Sequence, residues 1–361
     1  MPLIAIGSIR VGPRRFALTL GLVALGVTVV LRASDDGGSS KAALPAERVA
    51  SQPFLASYTR PASTPFPEDN AFTPEREALG RALFFDPRLS GSGWISCASC
   101  HNPGLSWGDG LPRAIGHGMK TLGRRTPTIL NLAWAQAFFW DGRADTLEAQ
   151  ALGPIQAPGE MNLDLQTMIT RIGAIDSYKT LFARAYPGEA VAPETVAKAI
   201  ATFERGVISP EAPFDRWLAG DEAAISPEAK RGFVLFNTKA ACAKCHSGWR
   251  FTDDSFHDIG VTGDDVGRGA LLQEIPSLQH AFKTPTLRDA DRRGPYMHDG
   301  SLATLEAVVD FYDRGGAAAR ESLSSDLKPL GLSADERRQL LAFMRTLTSP
   351  GQPVRVPALP R

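Results

Sequence analysis

Apolar positions along this 361-residue chain follow three different patterns. An apolar run from Phe16 to Leu31 is preceded by Arg10, Arg14 and Arg15 and followed by Arg32, Asp35 and Asp36. Its length lies between a signal-peptide core of about 7–15 residues and a membrane span of about 20. The basic residues before it place the N-terminus in the cytoplasm and export the remainder. This predicts an export segment over 1–32, read either as an uncleaved inner-membrane anchor or as a cleaved signal, with the rest of the chain in the periplasm. Residues 33–66 lack an apolar stripe and are rich in Ala, Ser, Pro and Asp, which predicts a flexible linker. From residue 67 the pattern becomes helical. Thr73-Pro74-Glu75 leads into Gly80-Arg81-Ala82-Leu83-Phe84, and Ser226-Pro227-Glu228 leads into Gly232-Phe233-Val234-Leu235-Phe236. Each reads as an N-cap, a proline at the first helical position and an amphipathic helix. Further helices are expected at about 194–207 and 333–347, the second opened by a Ser333–Glu336 capping box. Strand alternation is nearly absent.

The helical pattern occurs twice. Thr-Pro-Thr stands at Thr126 and again at Thr284, Trp140-Asp141-Gly142 aligns with His298-Asp299-Gly300, and Thr146-Leu147-Glu148 aligns with Thr304-Leu305-Glu306. This register holds at an offset of 158 residues without gaps. The expected architecture is mainly α, with two cytochrome c-like helical domains in tandem at 67–220 and 221–350 and a tail at 351–361.

Chemistry is concentrated in the cysteines. Cys97, Cys100, Cys242 and Cys245 are the only four, and each pair is followed directly by a histidine, His101 or His246. Cys-x-x-Cys-His is the attachment pattern of c-type haem, in which two thiols add across the porphyrin vinyl groups and the histidine reaches the iron. Zinc fingers space their histidines far from the cysteines. A redox dithiol or a disulfide needs no histidine. Two such motifs that use every cysteine of an exported chain predict two covalently bound haems.

Composition narrows the function. The 39 basic residues balance 39 acidic ones, whereas a nucleic-acid binder would need a basic face. The 34 glycines and 27 prolines exceed an average combined usage of about 12% and predict long connecting loops.

Aligning the halves reveals one chemical difference. Pro154 corresponds to Tyr312. Proline offers no ligand atom, whereas a tyrosine oxygen can bind ferric iron. If the halves hold their haems alike, one is open to substrate and the other is capped. Tyr312 as a core tyrosine with a satisfied hydroxyl is the alternative.

The chain resembles the bacterial di-haem cytochrome c peroxidase and MauG family over 67–350. The resemblance rests on CASCH followed by IGHG, FFWDGRADTLEAQALGPIQAPGEM, AIATFERGVISPEAPFDRWLAGDEAAISPEAKRGFVLF, CAKCH and KTPTLRDADRRGPYMHDGSLATLEAVVDFYDRGG. It implies a peroxidatic N-terminal haem on Cys97, Cys100 and His101. It likewise implies an electron-transfer C-terminal haem on Cys242, Cys245 and His246. Gln150 and Glu160 match the distal polar pair with Pro154 between them, and Trp140 matches the tryptophan between the haems. His117 matches the histidine that caps the resting peroxidatic iron. Tyr312 falls where peroxidases place an axial methionine and MauG proteins a tyrosine, with Met297 the remaining candidate thioether. Arg125 stands where the family has an asparagine ligand for an inter-haem calcium, and calcium prefers oxygen donors, so that ion is doubtful here. His257 and His280 have no counterpart and are expected at the surface.

The leading expectation is a periplasmic peroxidase that reduces hydrogen peroxide to water with electrons from a small c-type cytochrome or cupredoxin. The alternatives are a MauG-like enzyme that oxidises residues of a partner protein and a non-catalytic electron-transfer cytochrome. A homodimer is compatible with each.

Overall fold

The computed structural model describes residues 55–351 and 353–361. The export segment at 1–32 and the first part of the linker therefore lie outside the described residues. Among those described, no helix is long and apolar enough to cross a membrane.

The caps read from the sequence are in place. Helix α1 (Pro74–Phe84) begins where the Arg76 amide donates to Thr73 Oγ1 at 3.1 Å. Helix α2 (Leu147–Gln156) begins at Thr146, and helices α3 (Leu165–Gly173), α4 (Asp176–Ala185) and α5 (Pro193–Arg205) complete the first half. Helix α6 (Pro213–Leu218) leads into α7 (Pro227–Asn237), where the Ala229 amide donates to Ser226 Oγ at 3.1 Å. Helices α8 (Leu305–Asp313) and α9 (Ala334–Arg345) follow, and the Ser333–Glu336 capping box closes reciprocally at 2.8 and 3.2 Å. Strand structure among the described residues is slight, with Phe256–His257 pairing antiparallel to Phe282–Lys283.

The duplication extends to backbone detail. Helix α1 packs on α5 as α7 packs on α9, and each crossing turns on a glycine. A Cβ on Gly80 would lie 1.9 Å from the Ala199 carbonyl oxygen, and one on Gly232 would lie 1.9 Å from that of Gln339. Only residues without a Cβ let the helices approach this closely. The bridge Phe138↔Ala144 recurs as Tyr296↔Leu302 at the same 158-residue offset. Gly142 and Gly300 both take φ +69°, the left-handed conformation that favours glycine.

Two apolar cores result. One gathers Leu79, Phe84, Ile155, Ile172, Phe182, Ile200 and Phe203, and the other Phe214, Phe233, Phe251, Leu305, Leu340 and Phe343. Three segments cross the boundaries expected from sequence. Tyr58, assigned to the linker, is buried in the second core and donates to Asn237 Oδ1 at 2.8 Å. Helix α6, assigned to the first domain, contributes Phe214 and Trp217 to the second core. The tail returns to the first core through Val354 and Leu359, and Arg88 donates to the Pro360 carbonyl at 2.8 Å. In each case an aromatic or aliphatic side chain inside a polar stretch finds apolar surface on the distant half.

Candidate active site

Between the cores lies one cavity of about 770 Å³. Both Cys-x-x-Cys-His motifs open into it, together with Trp140, Gln150, Pro154, Glu160, Met297, His298 and Tyr312. A short helical turn, Cys97–Cys100, with Ser96 and Ser99 as reciprocal caps, presents the first motif. Cys242–Lys244 forms a tighter turn for the second. All four thiols are free. Burial pushes the Cys100 thiol up to about 11 and that of Cys242 to about 12, so both persist as uncharged thiols at neutral pH.

The two histidines are prepared alike. His101 Nδ1 lies 3.3 Å from the Trp107 carbonyl oxygen, and His246 Nδ1 lies 2.9 Å from that of Phe251. A carbonyl only accepts, so each ring carries its proton on Nδ1 and leaves Nε2 as the metal-ready nitrogen. Burial holds both rings below the usual imidazole range, in the neutral form that a metal requires.

Helix α2 and the loop after it carry the polar residues of the first half. Neither the Gln150 amide nor the Glu160 carboxyl has a side-chain hydrogen-bond partner among the described residues. Burial raises the Glu160 carboxyl above the usual carboxylate range, opposed by the Arg143 charge. At the equivalent place in the second half the Tyr312 hydroxyl also lacks a hydrogen-bond partner among the described residues. Burial raises its phenol above the usual range. Trp140 lines the cavity that both motifs open into, 8% exposed, and its Nε1 donates to the Arg125 carbonyl at 2.9 Å.

His117 is the expected site residue that the structure does not bring into the cavity. Its amide donates to the carbonyl oxygens of Gly159 and Glu160 at 3.0 and 2.8 Å. That tie fixes the backbone beside the Glu160 loop, and Gly116 rather than His117 lines the space. A Cβ on Gly116 would lie 2.0 Å from the Gly159 carbonyl oxygen, which keeps the loops in contact. His257 is likewise not a surface residue. It lines the cavity, and its Nε2 lies 2.8 Å from Asp253 Oδ2, a contact that raises its pKa to about 10.

Sequence reasoning missed several buried charges that line the cavity. Glu204 on α5 is 4% exposed with one carboxyl oxygen unpartnered, and desolvation pushes it up to about 8. Lys283 donates to the Ala137 carbonyl at 2.8 Å, and burial lowers it to about 8. Arg293, from the second half, accompanies Arg125. The AIATFERG and DRRG motifs contained Glu204 and Arg293, but no local spacing marked them as buried.

The family model described as di-haem cytochrome c peroxidase matches residues 74–223. The methylamine utilization protein MauG of Methylorubrum extorquens is 55% identical over 308 residues, covering 84% of this chain and 87% of its own. This chain belongs to the di-haem cytochrome c peroxidase and MauG family. Cytochrome-c peroxidase IdrP1 of Denitromonas iodatirespirans is 37% identical over 317 residues, covering 79% of this chain and 84% of its own. The crystal structure of a MauG-like protein associated with microbial copper homeostasis has a TM-score of 0.74 at 32% identity. It covers 81% of this chain and 93% of that one. The protein is thus a peroxidase-type oxidoreductase of a two-haem family.

Two haems fit the residues present. The cavity brings two thiol pairs and two metal-ready imidazoles to one apolar space. An inter-haem calcium does not fit. Arg125 is 7% exposed and its Nη2 donates to the Arg293 carbonyl at 2.7 Å, so the place holds buried cations where the ion would need oxygen donors.

Proposed function

We propose that this chain is an exported enzyme of the MauG kind, which consumes hydrogen peroxide and draws the electrons from residues of a partner protein. The observation that carries the reading is Tyr312, which lines the cavity at the position where the first half has Pro154 and whose hydroxyl has no hydrogen-bond partner among the described residues. Its hydroxyl is free of protein partners, which argues against the role of a satisfied core tyrosine. The 55% identity to a protein named for methylamine utilization, against 37% to a cytochrome-c peroxidase, supports the same side. By that likeness the partner serves methylamine utilization. The small-cytochrome peroxidase reading leaned on His117, and that residue stays outside the cavity. A non-catalytic carrier is disfavoured by Pro154, which supplies no ligand atom, and by two unpartnered polar groups beside it.

Cys97, Cys100 and His101 would hold one haem, and Cys242, Cys245, His246 and Tyr312 the other, both attached through thioethers. When bound, the haems supply one-electron redox chemistry at iron. The chain supplies protons and orientation. Hydrogen peroxide takes up two electrons and two protons to give two waters. Glu160, held above the usual carboxylate range by burial, can take a proton from one peroxide oxygen and return it to the departing one. Gln150 can both donate to and accept from the same molecule, which fixes its approach. Pro154 keeps that side open. Trp140, pinned through Nε1, provides an aromatic contact between the halves.

The reading is tested in a methylamine-using host that lacks this gene. Growth on methylamine should fail, and intact-mass analysis should find a partner protein heavier by the two hydrogens that each missing two-electron oxidation would remove. Unimpaired growth with all partner masses unchanged would reject it.

A further inference from the structure

Four arginines are buried among the described residues, and the chain treats them in two ways. Arg288 is paired with Asp215 at 2.8 Å and Arg205 with Glu148 at 2.7 Å. Arg125 and Arg293, each 7% exposed, form no ion pair among the described residues, and the Nε of each is buried without a partner. They touch across the halves, with Arg125 Nη2 donating to the Arg293 backbone carbonyl. Desolvation and then the Arg125 charge lower Arg293 to about 10, and desolvation lowers Arg125. The nearby acids, Asp109 beside Arg125 and Asp289 beside Arg293, oppose this through their charge without forming an ion pair. Asp109 accepts from Thr126 Oγ1 at 2.6 Å and from the Leu111 amide at 3.0 Å. Asp289 accepts from the Ser349 amide and hydroxyl, both at 2.8 Å. Leaving one buried charge unpaired costs several kcal/mol, and two like charges side by side cost more. Such a pair persists where an anion arrives to meet it.

Both side chains line the cavity, and no carboxylate among the described residues forms an ion pair with either of them. We infer that Arg125 and Arg293 form a paired carboxylate receptor, one arm from each half, which binds the acidic side groups of the resident haems. The inference rests on the two-haem reading. Guanidinium suits the role because its planar fork donates two parallel hydrogen bonds to a carboxylate. The paired arms also place fixed positive charge between the halves, next to the carbonyl that holds Trp140. No metal cation is then needed at the junction.

The experiment uses the holoprotein with both haems attached, as wild type and as Arg125→Met, Arg293→Met and Arg125→Lys. Intact mass counts covalent haem additions, and resonance Raman spectroscopy reads the haem propionate bending bands, whose frequency follows hydrogen bonding to the carboxylates. The wild type and all variants should show two additions. The bands should shift in both methionine variants and return toward wild type in Arg125→Lys. Should Arg125→Met fail to accumulate, Arg293→Met reads the other arm of the same receptor. Two additions with bands unmoved in the methionine variants would overturn the receptor while leaving the two-haem reading intact. A wild type with fewer than two additions would instead overturn the reading on which it rests.

Discussion

The indole Nε1 of Trp140 donates to the carbonyl oxygen of Arg125 at 2.9 Å. The Arg125 amide in turn donates to the His298 carbonyl at 2.8 Å. The two repeat-related positions, 140 and 298, are thus joined through one residue, and Trp140 is held in the wall that both motifs share.

Replacing Trp140 by Phe keeps an aromatic ring but leaves the buried Arg125 carbonyl unmet. The expected loss is about 1–3 kcal/mol of stability, measured by denaturant titration of the holoprotein. Electron passage between the halves should slow as well, seen as biphasic reoxidation after peroxide is mixed with the fully reduced protein. Single-phase kinetics equal to wild type would assign Trp140 to packing alone.

Glu160→Gln should retain the visible spectrum and slow the peroxide reaction by roughly 10²–10⁴-fold, the usual worth of one acid–base group. In the wild type the ionised carboxylate is the base, so the rate should rise with pH through a value above the ordinary carboxylate range near 4.3. That rise should vanish in Glu160→Gln. Stopped-flow pH profiles of both proteins check it.

Glu204 sets a stability trend. Its carboxyl is raised from 4.5 to about 8 in the folded protein. The unfolded chain therefore loses this proton first, and stability falls as pH rises from the unfolded value through about 8. Glu204→Gln should flatten that part of the curve and raise the melting temperature at pH 8 relative to wild type. Parallel thermal scans between pH 5 and pH 9 supply the comparison.

A methyl group on Gly80 or Gly232 would sit 1.9 Å from a carbonyl oxygen of the crossing helix. Gly80→Ala and Gly232→Ala should each destabilise by about 1–3 kcal/mol or more through overpacking. Equal effects at the two sites, read from chemical denaturation, are expected because the crossings are copies. A neutral result at either would show that its helices can separate without cost.

The parts legible in the sequence are those with short-range signatures. Caps at Thr73, Ser226 and Ser333 depend on neighbours a few positions apart, the 158-residue register compares two such local patterns, and the structure reproduces both. What escaped depends on distant partners. Tyr58 and α6 look polar or transitional locally, and their place follows from apolar surface on the opposite half. His117 has the expected spacing from His101, but its amide is tied to the carbonyls of Gly159 and Glu160 and it does not line the cavity, although its Nδ1 is buried without a partner among the described residues. Burial of Glu204, Arg125 and Arg293 is equally invisible, because a charged side chain carries no local mark of being desolvated.

On the proposed function, Tyr312 would make the second half unsuited to a small high-potential electron donor. Metal binding favours the ionised phenol, and an anionic oxygen stabilises ferric over ferrous iron. The most direct measurement is steady-state peroxide turnover with a reduced small c-type cytochrome, comparing wild type with Tyr312→Met. Wild type should oxidise the cytochrome slowly and Tyr312→Met clearly faster, with the near-infrared band of His/Met ligation. Rapid turnover by the wild type, or that band already present in it, would overturn the role given to Tyr312 and restore the small-cytochrome peroxidase.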